Sequence, residues 1–457
     1  MEARRALLGE LIAIHAARGM DGEFGAMLRS CSLVCRNLHS VALSHMFHHV
    51  HLSNRNRVRK LVDLCRPSNY PIRRQGAQEL RLPNPLTFIR SVSLTTYGDD
   101  DVTWMEDEPR LPALLHDIRM HGLKGRSMGQ FRLSTEQGLA WTRCSEALRR
   151  GIADIICSNP PASLELSGID DLPESVLLQG VMRSRVVHVE CVSVQPSRDD
   201  REATELAIGL LSAPIQELSI ITSPGVFPIL ARFLESSGKG RLRGVKRLVV
   251  GDIEFQELPS TLRVIERLVE AGCAIESIAL APILSLDEED ATEFEKHDTS
   301  SLPPDVFGTL RYLDVEFQSL YADSEGKRSI AIVLEQLFSR VAQAWAPWHQ
   351  IDREDTARRP SLKHLVVRVF MQEEEAEEDM AIALLEAEGS WRNLVASLGC
   401  LNPVLEQVDI RILCRSCQDS TLGRTLEARL QGYFACLKVE NPTLELQCEV
   451  VILGSRD

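Results

Sequence analysis

One short arrangement of apolar and polar positions recurs along the chain: apolar, two variable, apolar, one variable, apolar. It occurs at Ile89/Val92/Leu94, Leu115/Ile118/Met120, Val186/Val189/Cys191, Ile215/Leu218/Ile220 and Val245/Leu248/Val250. It returns at Ile275/Ile278/Leu280, Leu310/Leu313/Val315, Leu362/Leu365/Val367 and Leu405/Val408/Ile410, with partial copies at Leu164-Glu165-Leu166 and Leu444-Glu445-Leu446. In a chain that is 44% apolar, three fixed positions match by chance about 0.09 of the time, so the spacing between copies decides. Those beginning at 186, 215, 245 and 275 lie 29, 30 and 30 residues apart, and each gap holds an amphipathic helix pattern. Later intervals stretch to 35, 52, 43 and 36 residues.

The helices follow from a period near 3.6. Trp141, Cys144, Leu148, Ile152 and Ile155 form one stripe. Leu262, Ile265 and Leu268 form another, with Gly272 as a C-terminal stop. Ile330, Val333, Leu334, Leu337, Val341 and Trp345 form a longer one. Strand and helix in alternation predict an α/β chain of parallel strands joined by helical crossovers. A short constant period favours a curved β/α solenoid over a closed eight-stranded barrel, since more than eight strands are predicted.

In each copy the variable residue between the last two apolar positions points away from the core. The residues so predicted to form a target-binding surface are Glu165, His188, Ser219, Val249, Ala279, Asp314, Val366, Asp409 and Glu445. The surface is acidic at both ends and apolar at Val249 and Ala279. It suits a protein or peptide with an apolar anchor flanked by basic residues. Recognition through the long loops after Leu280 and Val315 is the alternative.

Charge divides the chain. Net charge is −14 over 457 residues. Residues 1–80 hold twelve Lys and Arg against six Asp and Glu, a net of +6, which leaves −14 − 6 = −20 on the remainder. An acidic body with only 5% aromatic residues argues against nucleic acid and anionic membranes as partners. No apolar run reaches the length of a membrane span, and the N-terminus lacks a secretory h-region. Twelve cysteines then read as reduced thiols packed as small hydrophobes, in cytoplasm or nucleus. Three acidic stretches, at Gly98–Pro109, Asp287–Glu295 and Glu373–Asp379, read as solvated insertions or charged first turns of helices, with docking of a basic partner as the alternative.

Candidate chemistry is sparse. His45, His48, His49 and His51 form the densest histidine group. No Cys-x-x-Cys lies near to complete a zinc site, and Phe47, Val50 and Leu52 read as the apolar side of a strand. Cys414-Arg-Ser-Cys417 follows a predicted strand and does not open a helix, as a redox pair requires. Gly238-Lys239-Gly240 lies between a helix and the next strand, the wrong order for a phosphate loop. With no nucleophile elbow and no His-Glu-x-x-His either, the expectation is a non-enzyme without metal or cofactor.

The segment Cys31 to Ser53, CSLVCRNLHSVALSHMFHHVHLS, resembles the C-terminal half of the F-box as found in many mushroom-forming fungi. Leu7-Leu8-Gly9-Glu10-Leu11-Ile12 is similar to that family's opening Leu-Pro-x-Glu-Leu-Ile, with leucine in place of proline. Thr142 to Leu178 is similar to the helix, break, Leu-x-Leu strand and Gly-Ile-x-x-Leu-Pro loop of the same proteins, which place degenerate leucine-rich repeats after the F-box.

The resemblance implies an F-box-like helical segment over 1–53 and a leucine-rich-repeat-like solenoid over 54–457. It also implies a substrate receptor of an Skp–cullin–F-box ubiquitin ligase, monomeric outside its complex. Glu10, Leu11, Leu33, Val34, Cys35 and Leu38 would bind an Skp-family adaptor, and the repeats would hold a protein target. An interaction scaffold whose F-box has degenerated is the alternative, and an enzyme on a barrel is a third reading that the absent motifs disfavour.

Overall fold

The computed structural model describes residues 42–65, 84–96, 103–123, 126–196, 215–223, 225–236, 244–254, 257–285, 302–321, 335, 337–338, 360–371, 388–401, 404–414 and 420–452. The chain divides into two compact units, Met1–Asp171 and Leu172–Asp457. Every strand pairing within them is parallel, and strands pair in sequence order.

In the first unit β1 (His49–Leu52), β2 (Ser91–Thr96), β3 (Gln130–Ala140) and β4 (Ser163–Pro173, its last two residues past the boundary) lie side by side. Helices α1 (Arg55–Cys65), α2 (Thr103–Asp107), α3 (Arg110–Asp117) and α4 (Glu146–Ser158) connect them. The parallel register stacks Val50, Val92, Phe131 and Leu164 in one buried row and Leu52, Leu94, Leu133 and Leu166 in the next. Burying each such side chain contributes about 1.5–3 kcal/mol. The helical face of α4 adds Leu148, Ile152 and Ile155, and Trp141 and Cys144 complete the expected stripe just before it. Its start is capped by Ser145, whose hydroxyl accepts from the Leu148 N–H.

One sequence expectation fails here. Leu115/Ile118/Met120 is not a strand: Leu115 ends the buried face of α3, Ile118 begins a π-helical turn, and Met120 is exposed. The strand of this repeat is β3, whose Phe131 and Leu133 follow buried Met128 at the same spacing.

The second unit orders β5 (Val186–Gln195), β6 (Glu217–Ile221), β7 (Arg247–Glu254), β8 (Ser277–Ser285), β9 (Tyr312–Tyr321), β10 (His364–Met371), β11 (Gln407–Cys414) and β12 (Glu445–Ile452). Its described helices are α5 (Glu174–Arg183), α6 (Val226–Ser236), α7 (Leu258–Glu270), α8 (Glu388–Gly399) and α9 (Ser420–Glu440). Of the expected helix from Ile330 to Trp345, only Glu335, Leu337 and Phe338 are described, and the last two are buried. Helix α7 ends as expected: Gly272 takes φ +85°, while its N–H donates to Val269 O and that of Cys273 to Leu268 O. The repeat at 186 sits elsewhere than expected, with Val187 and Val189 in the core and Cys191 exposed.

A left-handed residue recurs three positions after the outward residue of β4, β5, β6 and β7: Gly168, Cys191, Thr222 and Asp252, at φ +64°, +50°, +46° and +49°. The series stops at β8, where β7 carries one more residue than its neighbour between Val250 and Ile253. Only glycine fits at 168, because a Cβ there would lie 1.8 Å from Thr135 O.

Candidate functional site

The outward-pointing row of the second unit is continuous. Register pairs His188, Ser219, Val249, Ala279, Asp314, Val366 and Asp409 in succession, so seven of the nine expected target-binding residues share one line. Glu165 belongs to the first unit, opposite Arg132. Glu445 falls one row away: it pairs with Gln407, and the residue opposite Asp409 is Gln447. Exposure along the line is uneven. Ser219 and Asp409 are buried, and Val249 and Ala279 are half-buried. Their neighbours cover them, since His188 Nδ1 lies 2.9 Å from Ser219 Oγ and Arg411 holds Asp409 with two contacts of 3.0 and 2.8 Å.

The rows on either side supply residues that the sequence reading missed. Toward the strand starts run Tyr312, His364, Gln407 and Glu445; toward the strand ends run Glu316, Arg368, Arg411 and Glu449. Tyr312 and His364 stack with centroids 4.6 Å apart, and His364 Nδ1 lies 3.2 Å from Gln407 Oε1. Arg368 clamps two carboxylates at once, Asp314 at 2.8 Å and Glu316 at 2.9 Å. Burial nonetheless pushes the Asp314 carboxyl above its ordinary range, against the pull of Arg368, and its Oδ1 has no donor. Across these three rows of β9–β12, Asp314, Glu316, Asp409, Glu445 and Glu449 face Arg368 and Arg411, so the charge is −5 + 2 = −3. One row further on, Phe370 and Leu413 are half-buried on the same face. An acidic, partly ion-paired plate beside exposed apolar area can dock a basic protein segment that brings an apolar anchor.

At β5–β7 the left-handed residues bring Thr222 Oγ1 to 2.7 Å from Asp252 Oδ2. Burial raises the neighbouring Cys191 thiol, which disfavours the reactive thiolate. The buried thiols of Cys144, Cys273 and Cys448 are pushed up to about 11, 11 and 12.

The open face of the first unit differs. Its outward row is His51, Ser93, Arg132 and Glu165, and Arg132 pairs with Glu165 at 3.0 Å. His51 Nε2 lies 3.2 Å from Thr95 Oγ1. Burial lowers the pKa of His51, with Arg57, His49 and Arg132 adding to the shift. His45 and His49 are lowered too, again by burial first and then by His48. Among the described residues, no three His, Cys, Asp or Glu side chains come together as a metal site. None of the described helices is long and apolar enough to cross a membrane.

The expected adaptor-binding residues Glu10, Leu11, Leu33, Val34, Cys35 and Leu38 lie outside the described residues. So do Gly238–Gly240, Cys417, the acidic stretches from Asp287 and from Glu373, and the first five residues of the one from Gly98. The strand expected at the end of residues 1–53 is described: it is β1, which pairs in parallel with β2. No known protein-family model matches the chain, and no curated protein is similar to it in sequence.

Proposed function

We propose that this chain is a non-catalytic, protein-binding subunit, the substrate receptor of an Skp–cullin–F-box type ubiquitin ligase working in cytoplasm or nucleus. Its N-terminal helices bind the adaptor, and the open face of β5–β12 holds a target protein. The observation that carries the binding assignment is the plate on β9–β12, net −3 and adjoined by Phe370 and Leu413. Charge of one sign steers a basic segment, and the apolar row supplies affinity by burial. The ligase assignment rests on the resemblance of Cys31 to Ser53 to an F-box. The second reading is a scaffold without an adaptor, favoured by Leu8 where that motif carries proline.

Co-purification with an Skp-family adaptor separates the two. The wild type should bind at micromolar concentration, and Leu33→Asp with Val34→Asp should weaken binding more than tenfold, since charge is then placed on an apolar contact face. No measurable binding by the wild type removes the ligase reading and leaves the scaffold. For the face, a target found by proximity labelling should lose about tenfold affinity to Glu445→Lys with Glu449→Lys, and similarly to Val249→Glu with Ala279→Glu. Unchanged affinity in both pairs moves recognition to the loops after Leu280 and Val315.

A further inference from the structure

On the open face of the second unit, the start of β8 is low. Its outward residues Ser277 and Ala279 are small, and they alternate with buried Ile278 and Leu280. The strands beside it carry longer side chains. Tyr312 of β9 lies opposite Ser277 and Asp314 opposite Ala279, while Arg247 and Val249 of β7 face the same two positions from the other side. A slot therefore runs over β8, between walls that stand two strand spacings, about 10 Å, apart.

The orientation of the Tyr312 wall is fixed by its neighbour. Its ring lies within 2° of parallel to that of His364, with centroids 4.6 Å apart, too close for rings lying edge to edge. The two rings thus stack face to face across β9 and β10, and the second face of Tyr312 looks over Ser277 into the slot. His364 covers one face, yet Tyr312 is still 49% exposed. His364 is itself held, with Nδ1 3.2 Å from Gln407 Oε1, so the aromatic platform is set before any guest arrives. Charge adds a sign. Asp314 and Glu316 share the single cation Arg368, at 2.8 and 2.9 Å, which leaves −2 + 1 = −1 beside the ring. Across the slot, Arg247 pairs at 3.3 Å with Glu217 of β6, on the side away from Tyr312.

We propose that this slot receives an arginine side chain of the target protein, its guanidinium laid flat on the Tyr312 ring and its charge toward Asp314. The inference rests on the reading of the open face as a target-binding surface, and it names the residue that the face selects. A guanidinium is planar, weakly hydrated and stacks on aromatic faces, whereas a lysine ammonium is a compact, strongly hydrated point charge. An anionic guest meets the uncompensated carboxylate. Val249 and Ala279 lie one row further on, so an extended segment with an apolar residue two positions from the arginine places both side chains on the same face.

Saturation-transfer NMR of the peptide acetyl-Gly-Arg-Gly-Leu-Gly-amide with the full chain tests the assignment. Saturable transfer to the arginine side-chain protons is expected at roughly millimolar concentration. The same peptide with citrulline, which keeps the shape and loses the charge, should bind about fivefold more weakly, and so should the lysine peptide. Tyr312→Leu should weaken the arginine peptide by a similar factor, and Tyr312→Phe should restore it, because the ring and not the hydroxyl holds the guest. The ring is exposed, so neither variant should move the thermal midpoint much. No saturable transfer, equal affinity for the citrulline or lysine peptide, wild-type affinity in Tyr312→Leu, or an equal loss in Tyr312→Phe overturns the proposal. The underlying reading fails separately: Glu445 lies three strands from Tyr312, so a target that loses affinity to Glu445→Lys with Glu449→Lys but not to Tyr312→Leu keeps the face and removes the slot.

Discussion

Strands β2 and β10 hold equivalent places in their units, each between two parallel neighbours, yet they treat their outer faces differently. All six residues of β2 are buried, including the outward Ser91, Ser93 and Thr95. On β10 only the inward Leu365, Val367 and Val369 are buried, while His364, Val366, Arg368 and Phe370 stay half-exposed. Small side chains on β2 lie in register between His51 and Arg132 of the flanking strands, and His51 reaches Thr95 at 3.2 Å. On β10 the long residue is central, and Arg368 reaches across to Asp314 and Glu316 without sealing the surface. A face closed by its own side chains serves stability; a face with charge held in place and not covered is available to a partner.

The largest test of this contrast is Gly168→Ala. It places a Cβ against Thr135 O at a left-handed φ, a combination expected to cost about 3–5 kcal/mol. Hydrogen exchange should then show amides of β2–β4 losing protection while those of β9–β11 keep theirs. Equal loss in both units would mean that they do not unfold separately.

An intermediate effect is expected from pH. His51, His45 and His49 all have folded pKa values below the ordinary 6.5, lowered first by burial. The folded state therefore binds fewer protons than the unfolded one, so stability is full above the unfolded value and falls as pH drops below about 6.5. Asp314 runs in the opposite sense: its raised pKa means that protonation on acidification relieves a burial penalty. Urea midpoints followed by exchange in each unit should show the first unit weakening from about pH 6.5 downward, and His51→Gln should flatten that limb. An unchanged profile in His51→Gln would remove histidine burial as the cause.

The smallest effect belongs to Lys246→Ala. The ammonium bonds Glu276 at 2.8 Å, but both groups are largely in water, and the carboxyl is lowered only by this contact and by nearby cations. The thermal midpoint should stay within error, as for most exposed pairs. A measurable loss would mean that this exposed pair contributes more than solvent screening permits.

Of the four copies that repeat at a near-constant interval, those at 215, 245 and 275 lie where the pattern puts them and the one at 186 does not. Leu218/Ile220, Leu248/Val250 and Ile278/Leu280 are core pairs in register, as the 30-residue spacing implied. The failures have physical causes. Leu115 and Ile118 lie three apart, a spacing that a helix face and this strand motif share, so the pattern alone does not separate them from Met128/Phe131/Leu133, the copy that forms the strand. At β12 the alternation offers two apolar pairs, Leu444/Leu446 and Leu446/Cys448, and a period of two cannot choose between them; only the hydrogen bonds that pair Asp409 with Gln447 do. Arg368 and Arg411 were legible one step further along the same alternation. The ion pairs of Arg368 were not, because its partners, 52 and 54 residues distant, meet it only through register, whereas Arg411 pairs with Asp409 two residues back on its own strand.

Sequential pairing in the second unit also has a mechanical meaning. Among the described strands, β12 is held in the sheet by β11 alone, and α9 packs against it. A pull on the C-terminus therefore loads one strand's bonds at a time, with no distant strand to share the force. The unit should lengthen in discrete steps, each releasing one repeat. A repeat of about 30–50 residues, at about 3.3–3.6 Å per residue, would give steps of roughly 100–180 Å, and the outermost repeat would yield first.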